Sequence, residues 1–500
     1  MAAGLTRTVA LVGLARAAGT ASVLLVNALL ARAWPAEQVG IWVVVWVLGS
    51  SLVPLFLLGL PTTVLYLHPR RDAAGRATLG RQAALALAGA AALLVAILAL
   101  AAPPLVGWLA PQAVVAPRAL QGLLIPFLPY LFATVSGGAI DALLVAAGRV
   151  RAQALLALLQ AVGQVATAGA AVGLGLSPAA VFWSFSLVAV LRTGVGWALV
   201  ERRAAAAASG PDANWRELAS CAVPVWLNDA VGGLSRYADR FVVTCFFSAA
   251  VVAQYHVAAV EVPVSLLLGA VVTVLVPEFS RLYQDQRSGD IHRLWCQTVS
   301  RLALIVMPLF AFLSVFAHSF MAVYLPGSYA SGVWVFRLLL LALPVRCAVY
   351  GPVLVAIGRA HWAVWASLLD LLLSAGLGWF LTGAAQAQGA TWAFLVPAAA
   401  AVLATYVQVA VLLALIGRQM AWGRRVLPWA DLARGGGQSG LAAVAAWAAT
   451  AGIPAASLRL VAGGLVFAAA LALLTWGSAR DRAACQALWG ALCRKPGRDP

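Results

Sequence analysis

Fourteen times along the chain the sequence runs apolar for roughly 20 to 30 residues, near positions 8–31, 39–67, 82–102, 119–147, 152–174, 178–200, 218–247, 249–277, 302–325, 332–357, 362–383, 388–417, 438–457 and 459–478. A helix rises about 1.5 Å per residue and a bilayer core is about 30 Å thick, so each run can cross it. Charged residues make up only 10% of the 500, and mean hydropathy is +0.94. A soluble domain carries about a quarter charged residues. The expected fold class is therefore all-α, a polytopic membrane protein with about 14 transmembrane helices. Ala31-Arg32-Ala33 imitates a signal-peptidase site, but the run before it is span-length and interrupted by Arg16, so an uncleaved first helix is expected.

Net charge is +17, which in a soluble chain would suggest a nucleic-acid partner. The placement of the charges excludes that reading. Of the 33 basic residues, 24 fall in one alternate set of loops and the tail, 3 in the other set (Arg32, Arg118, Arg459), and 6 inside the runs. This positive-inside skew places both termini in the cytoplasm.

The polar stretches are short. Residues 1–200 hold six runs, 201–217 ("ERRAAAAASGPDANWRE") reads as a cytoplasmic linker, and 218–417 hold six more. A cytoplasmic loop at 418–437 leads to two additional spans at 438–478 and a basic cytoplasmic tail at 479–500. An internal echo supports the division: "EQVGIWVVVW" with "PTTVLYLHPRRDAAG" resembles "VVAQYHVAAV" with "PEFSRLYQDQRSGD". Similar halves in one topology suggest parallel repeats. Six cysteines show no paired metal spacing, so neither disulfides nor a metal is expected, and no cofactor is implied. No G-x-x-x-x-G-K-[ST] loop is present to hydrolyse ATP.

Charges inside the runs carry the functional signal. On the seventh run Asp229, Arg236, Asp239 and Arg240 sit at i, i+7, i+10 and i+11, which reads as one stripe. Each costs about 2.5 to 3.5 kcal/mol at the bilayer centre, so the stripe must face protein or water rather than lipid. The eighth run brings His256 to the depth of Asp239 and Arg240, and Glu261 to that of Arg236. Arg16, Asp141, Arg192, Arg346 and Asp370 join from other runs, while Arg337 lies near an outer end, where snorkelling explains it. Asp239 with Arg240 reads either as an internal salt bridge or as part of a cavity, and Asp141 with Arg192 equally as a structural pair. For Arg16, Arg236 and Arg346 the cavity role leads, because the spans offer too few acids to neutralise them. Trp42, Trp46, Trp183 and Trp226 suit either sugar stacking or the interfacial belt.

Several segments resemble the polysaccharide-biosynthesis flippases of the multidrug/oligosaccharidyl-lipid/polysaccharide (MOP) exporter superfamily. They are Arg16-Ala17-Ala18-Gly19, Glu37-Gln38-Val39-Gly40 with Trp42, Gly59-Leu60-Pro61, "YADRFVVTCFFSAAVVAQYHVA", "VLVPEFSRLYQDQRSGDIHRL" and "FMAVYLPGSYASGVWVFRLLLLALPVRCAVY", in the family's order over about residues 5 to 420. The resemblance implies two six-helix bundles around a central cavity plus two C-terminal helices, in a bacterial cytoplasmic membrane. By alternating access it would move a lipid-linked oligosaccharide to the outer leaflet, working beside a polysaccharide polymerase and glycosyltransferases, with no catalytic residues of its own. Arginines fit a pyrophosphate cargo through bidentate, charge-assisted hydrogen bonds. The expected binding set is Arg16, Arg236, Arg240 and Arg346. The expected ion-coupling or salt-bridge set is Asp239, Glu261, Asp229, Asp141 and Asp370. A cation-coupled multidrug antiporter of the same superfamily and a non-transporting scaffold are the competing readings. A membrane glycosyltransferase is disfavoured because Glu37 is the only acid in an outer loop.

Overall fold

The computed structural model describes residues 2–109, 117–204, 215–260, 262 and 264–476. Among these the regular structure is helical. In chain order the helices are α1 (Ala2–Ala33), α2 (Ala36–Phe56), α3 (Leu60–Leu67), α4 (Ala73–Leu109), α5 (Pro117–Ser136), α6 (Ile140–Ala146), α7 (Val150–Leu174), α8 (Pro178–Ala204), α9 (Trp215–Phe246) and α10 (Ala249–Ala258). There follow α11 (Val264–Gln284), α12 (Ser288–Val315), α13 (Ala317–Tyr324), α14 (Gly332–Leu340), α15 (Gly351–Ala356), α16 (His361–Ala387), α17 (Val396–Gln419), α18 (Trp429–Ala449) and α19 (Ala456–Trp476). Every one of the fourteen apolar runs falls on one helix or on a pair joined by a short break. Nine stretches among the described residues are individually long and apolar enough to span a bilayer.

The breaks are ordered. The second run bends between α2 and α3 at Leu58 and Gly59, both at positive φ (53° and 64°), and the fourth between α5 and α6 at Gly137-Gly138. The eighth run is divided between α10 and α11, and the tenth bends between α14 and α15. Runs 2 and 4 of the first half thus correspond to runs 8 and 10 of the second, which extends the echo seen in sequence, while the ninth run is also interrupted, at Phe316 between α12 and α13, where the third run on α4 is continuous. The fourth and tenth runs even end alike. "LLVAAGR" (143–149) and "VLVAIGR" (353–359) each close with a left-handed glycine, Gly148 at φ 74° and Gly358 at φ 70°. In each the following arginine N–H donates back to a leucine carbonyl, Arg149 to Leu144 at 2.7 Å and Arg359 to Leu354 at 2.9 Å. Irregular backbone at membrane depth survives only where protein or water satisfies its polar groups, so matched breaks point to functional regions of both halves.

The chain divides into two compact units. The first holds Ala3–Val257 with Trp379–Phe394; the second holds Ala258–Gly378 and, among the described residues, the chain from Leu395 onward. In the first unit α9 lies along α2 and α3 because small residues let the backbones close. A Cβ on Gly233 would lie 2.6 Å from Pro54 and one on Gly59 2.6 Å from the Trp226 nitrogen, and at the start of α10 a Cβ on Gly40 would strike the Ala249 carbonyl. Trp226 Nε1 donates to the Leu55 carbonyl at 2.6 Å, next to the break, and Arg71 pairs with Glu217 at 2.8 Å at the end carrying the basic loops. Helices α5 and α8 are stitched by donors on one face of α8: Ser186 to Pro126 O (2.6 Å), Thr193 to Ala133 O (2.9 Å) and Trp197 to Ser136 O (3.2 Å). In the second unit the last two helices, α18 and α19, pack Ala442, Ala443, Ala446 and Phe467 against Ala311 and Phe316.

Candidate functional site

The charged residues of α9 separate into two environments. Steps of about 100° per residue put Asp229, Arg236 and Arg240 within about 20° of one line, with Asp239 about 80° round the helix from Asp229. Asp229 and Arg236 are exposed and Arg240 is half-buried, whereas Asp239 is buried, 6% exposed. The single stripe anticipated from spacing is therefore a line of Asp229, Arg236 and Arg240 with a second acid, Asp239, turned inward, because positions i+7 and i+10 are separated by most of a quarter turn.

What receives Asp239 is Tyr255 of α10. The Tyr255 hydroxyl, fully buried, donates to Asp239 Oδ2 at 2.7 Å. His256, expected at this depth, is also buried, and its Nδ1 finds no partner among the described residues. Arg240 places its guanidinium carbon 5.3 Å from the Tyr237 ring centroid, at the outer limit of a cation–π contact. Arg236 makes no ion pair or hydrogen bond among the described residues. Sequence reasoning missed Tyr255; the signal was present in "AQYH", but a difference of one residue is a rotation of about 100°, which only the packed helix pair resolves.

Asp141 and Arg192 form a pair. Arg192 Nη2 meets Asp141 Oδ2 at 2.7 Å, joining the first turn of α6 to α8. The two residues are thus ion-paired, with the Asp141 side chain 43% exposed.

In the second unit Arg346 occupies the break of the tenth run, on the 3-10 turn Pro344–Cys347 between α14 and α15. It is exposed and carries no ion pair or hydrogen bond among the described residues. Asp370 is half-buried on α16, with the Thr405 hydroxyl 3.5 Å from its Oδ1. Arg16 falls on α1 at a position whose side chain is outside those described, and Glu261 lies outside the described residues altogether.

The tryptophans part company. Trp42 is buried inside the first unit, stacked on Trp46 and Phe182 at 5.2 Å, in a ring cluster with Phe127, Tyr130 and Phe185. It belongs neither to a sugar platform nor to an interfacial belt. Trp226 is engaged with Leu55, and Trp183 is 52% exposed. Cys221, Cys245, Cys296 and Cys347 are free thiols, while Cys485 and Cys493 lie outside the described residues.

Residues 83–333, half of the chain, match the family described as polysaccharide biosynthesis protein. The chain belongs to that family. No curated protein sequence matches the chain. Among solved structures it is similar in fold to the lipid II flippase MurJ in an inward closed conformation, with TM-score 0.71 and 11% identity over 93% of this chain and 98% of that one. It is also similar to an inward-facing multidrug resistance MATE family transporter of the MOP superfamily (TM-score 0.65, 13% identity, 80% and 94% covered). A third likeness is to a MOP superfamily transporter from Pyrococcus furiosus whose binding pocket is described as having reverse polarity (TM-score 0.60, 13% identity, 84% and 95% covered). This family member is a multi-pass membrane protein with the MOP transporter fold, and its structural neighbours are flippases and transporters rather than enzymes.

Proposed function

We propose that this chain is a flippase that moves a polyprenyl-pyrophosphate-linked oligosaccharide from the inner to the outer leaflet of the bacterial cytoplasmic membrane by alternating access. The division into bundles 1–200 and 218–417, with 438–478 as an additional pair of spans, belongs to the same proposal. One observation carries it: Arg236 and Arg346, both within membrane runs and both exposed, make no salt bridge or hydrogen bond among the described residues, and Asp229 acts on Arg236 only as a charge beyond contact distance. A guanidinium facing hydrocarbon costs several kcal/mol, about 2.5 to 3.5 at the bilayer centre. Two that are neither paired nor near an interface require polar space, and their five N–H donors each remain for a ligand anion. A pyrophosphate, with roughly two negative charges, accepts bidentate bonds from such groups. Arg16 and Arg240 complete the receiving set. Asp239, tied to Tyr255, and Asp229, Glu261 and Asp370 are the groups available for ion coupling, whereas Asp141 is committed to Arg192.

The energetics suit outward movement. An inside-negative potential favours export by about 2.3 kcal/mol per charge per 100 mV, hence about 4 to 5 kcal/mol for two charges.

Proteoliposomes loaded with a fluorescent polyprenyl-pyrophosphate saccharide test the assignment. Arg236→Gln and Arg346→Gln should each lower the flipping rate at least about tenfold, with thermal melting of the purified variants unchanged. Flipping at the parent rate by both variants would overturn it. The cation-coupled multidrug antiporter remains the second reading because the fold likeness extends to MATE transporters. It is distinguished by proton-driven uptake of a lipophilic cation that survives both substitutions.

A further inference from the structure

A second cationic site lies within the first unit, with no lining residue on α9. A cavity of about 740 Å³ opens between the start of α4, the end of α6 and the end of α8, at the end that carries the basic loops. Arg76, Arg81 and Arg149 line its polar part, together with His68 and Trp197, and no acid is among its lining residues. Leu85, Leu143, Leu144, Leu199 and Val200 make the rest of its wall, and Leu85 is 68% exposed on the flank of α4.

The cations are held in place without being neutralised. Arg149 donates through Nη1 to the Leu199 carbonyl, and Arg76 through Nε to the His68 carbonyl at 3.2 Å. Each bond uses one of five donors and leaves the others for a guest. Arg81 makes no ion pair or hydrogen bond among the described residues. His68 is 8% exposed, lines the cavity, and its buried Nδ1 has no partner among the described residues. That nitrogen is sealed from the cavity, so His68 contributes wall rather than a hydrogen bond, and the polar contacts offered to a guest are those of the three arginines.

We propose that this cavity is a binding site for an anionic phospholipid of the leaflet facing the basic loops, separate from the cargo site. Three arginines at one membrane face match a phosphate headgroup, and the leucine and valine wall continuing into the exposed flank of α4 matches the top of its acyl chains. The volume is right for a headgroup and glycerol rather than a whole sugar-bearing carrier, since pockets of about 300 to 1,000 Å³ enclose ligands of drug size. The lipid holds the broken fourth run against α4 and α8 by replacing the repulsion among three like charges with shared hydrogen bonds.

The full-length protein, purified in a zwitterionic detergent, is titrated with phosphatidylglycerol, with phosphatidylcholine, with soluble glycerol 3-phosphate and with polyprenyl pyrophosphate, reading thermal melting and lipid retained by native mass spectrometry. Phosphatidylglycerol should raise the melting temperature and stay bound, and phosphatidylcholine and glycerol 3-phosphate should do neither. Arg81→Gln, which breaks no contact, should weaken phosphatidylglycerol binding about fivefold, and Arg76→Gln with Arg81→Gln by the product of two such factors. Arg236→Gln should leave it unchanged, which separates this site from the cargo site even if the flippase reading fails. Equal retention by Arg81→Gln and the parent, equal stabilisation by phosphatidylcholine, or full displacement by equimolar polyprenyl pyrophosphate would each overturn the proposal.

Discussion

Tyr255 and Asp239 share a hydrogen bond of 2.7 Å between two helices, with the tyrosine fully buried and the carboxylate 6% exposed. The bond ties α9 to α10 across the turn that joins them, and it supplies a donor to an acid that lipid would not tolerate. Tyr255→Phe keeps the ring packing and removes only the hydroxyl, so Asp239 loses that donor. Stability should fall by about 1.5 to 3 kcal/mol, the range for a hydrogen bond to a charged group. Asp239→Asn, which can still accept from Tyr255, should cost less. Thermal or denaturant unfolding in detergent measures both, and equal losses would show that the tyrosine hydroxyl is not what satisfies the acid.

Arg192 and Asp141 are expected to couple. The arginine side chain is 12% exposed and the aspartate 43%, so water screens one partner and the pair should be worth only about 1 kcal/mol in a double-mutant cycle of Arg192→Gln and Asp141→Asn. Losing the acid alone should cost more than losing both, because it leaves a half-buried guanidinium without its counter-ion. Strictly additive losses would refute the coupling.

Gly40 should not accept a side chain. Its Cβ would collide with the backbone carbonyl of Ala249, which has no soft direction in which to yield, so Gly40→Ala should cost about 1 to 3 kcal/mol through overpacking. Gly436, inside α18 with nothing within 4 Å of its Cβ, is the control. There Ala should stabilise by about 0.5 to 1 kcal/mol through its better helix propensity. Melting curves of the two variants should move in opposite directions.

Transport should follow the electrical potential. Collapsing the potential with valinomycin and balanced potassium, at constant proton and sodium gradients, should slow flipping of a doubly charged cargo, which loses about 4 to 5 kcal/mol of drive per 100 mV. An unchanged rate under those conditions, with loss on collapsing an ion gradient, would assign the drive to Asp239 or another acid as the coupling site.

Much of this fold was legible in sequence because the force that shapes it most acts locally. Span-length apolar runs state the solvent, and in that solvent a chain must satisfy its backbone within helices. The breaks at Gly59-Leu60-Pro61, Gly137-Gly138 and Pro344 are marked by residues that end or bend helices. The matching "LVAxGR" endings at 144–149 and 354–359 were equally visible as a 210-residue repeat, yet are short enough to pass as chance until the two glycine caps are seen in place. Less legible was the face each charge takes. Asp239 shares its helix with Arg236 three residues earlier, and nothing in the string says that one turns inward to Tyr255 while the other stays exposed. The cavity of Arg76, Arg81 and Arg149 was hidden for the same reason, since its arginines read as ordinary members of basic loops.

Solvent, helical content and the run on which each charge falls follow from residue order, since a helix closes its hydrogen bonds four residues away and hydrophobic length is counted along the chain. Pairing does not follow, because the partners stand 16 residues apart for Asp239 and Tyr255 and 51 for Asp141 and Arg192. Their meeting depends on how far each helix is rotated and slid against its neighbour. A rotation of one residue, about 100°, is enough to exchange a satisfied carboxylate for an exposed one, and packing of Gly40, Gly59 and Gly233 against facing backbone and proline is what sets that rotation here.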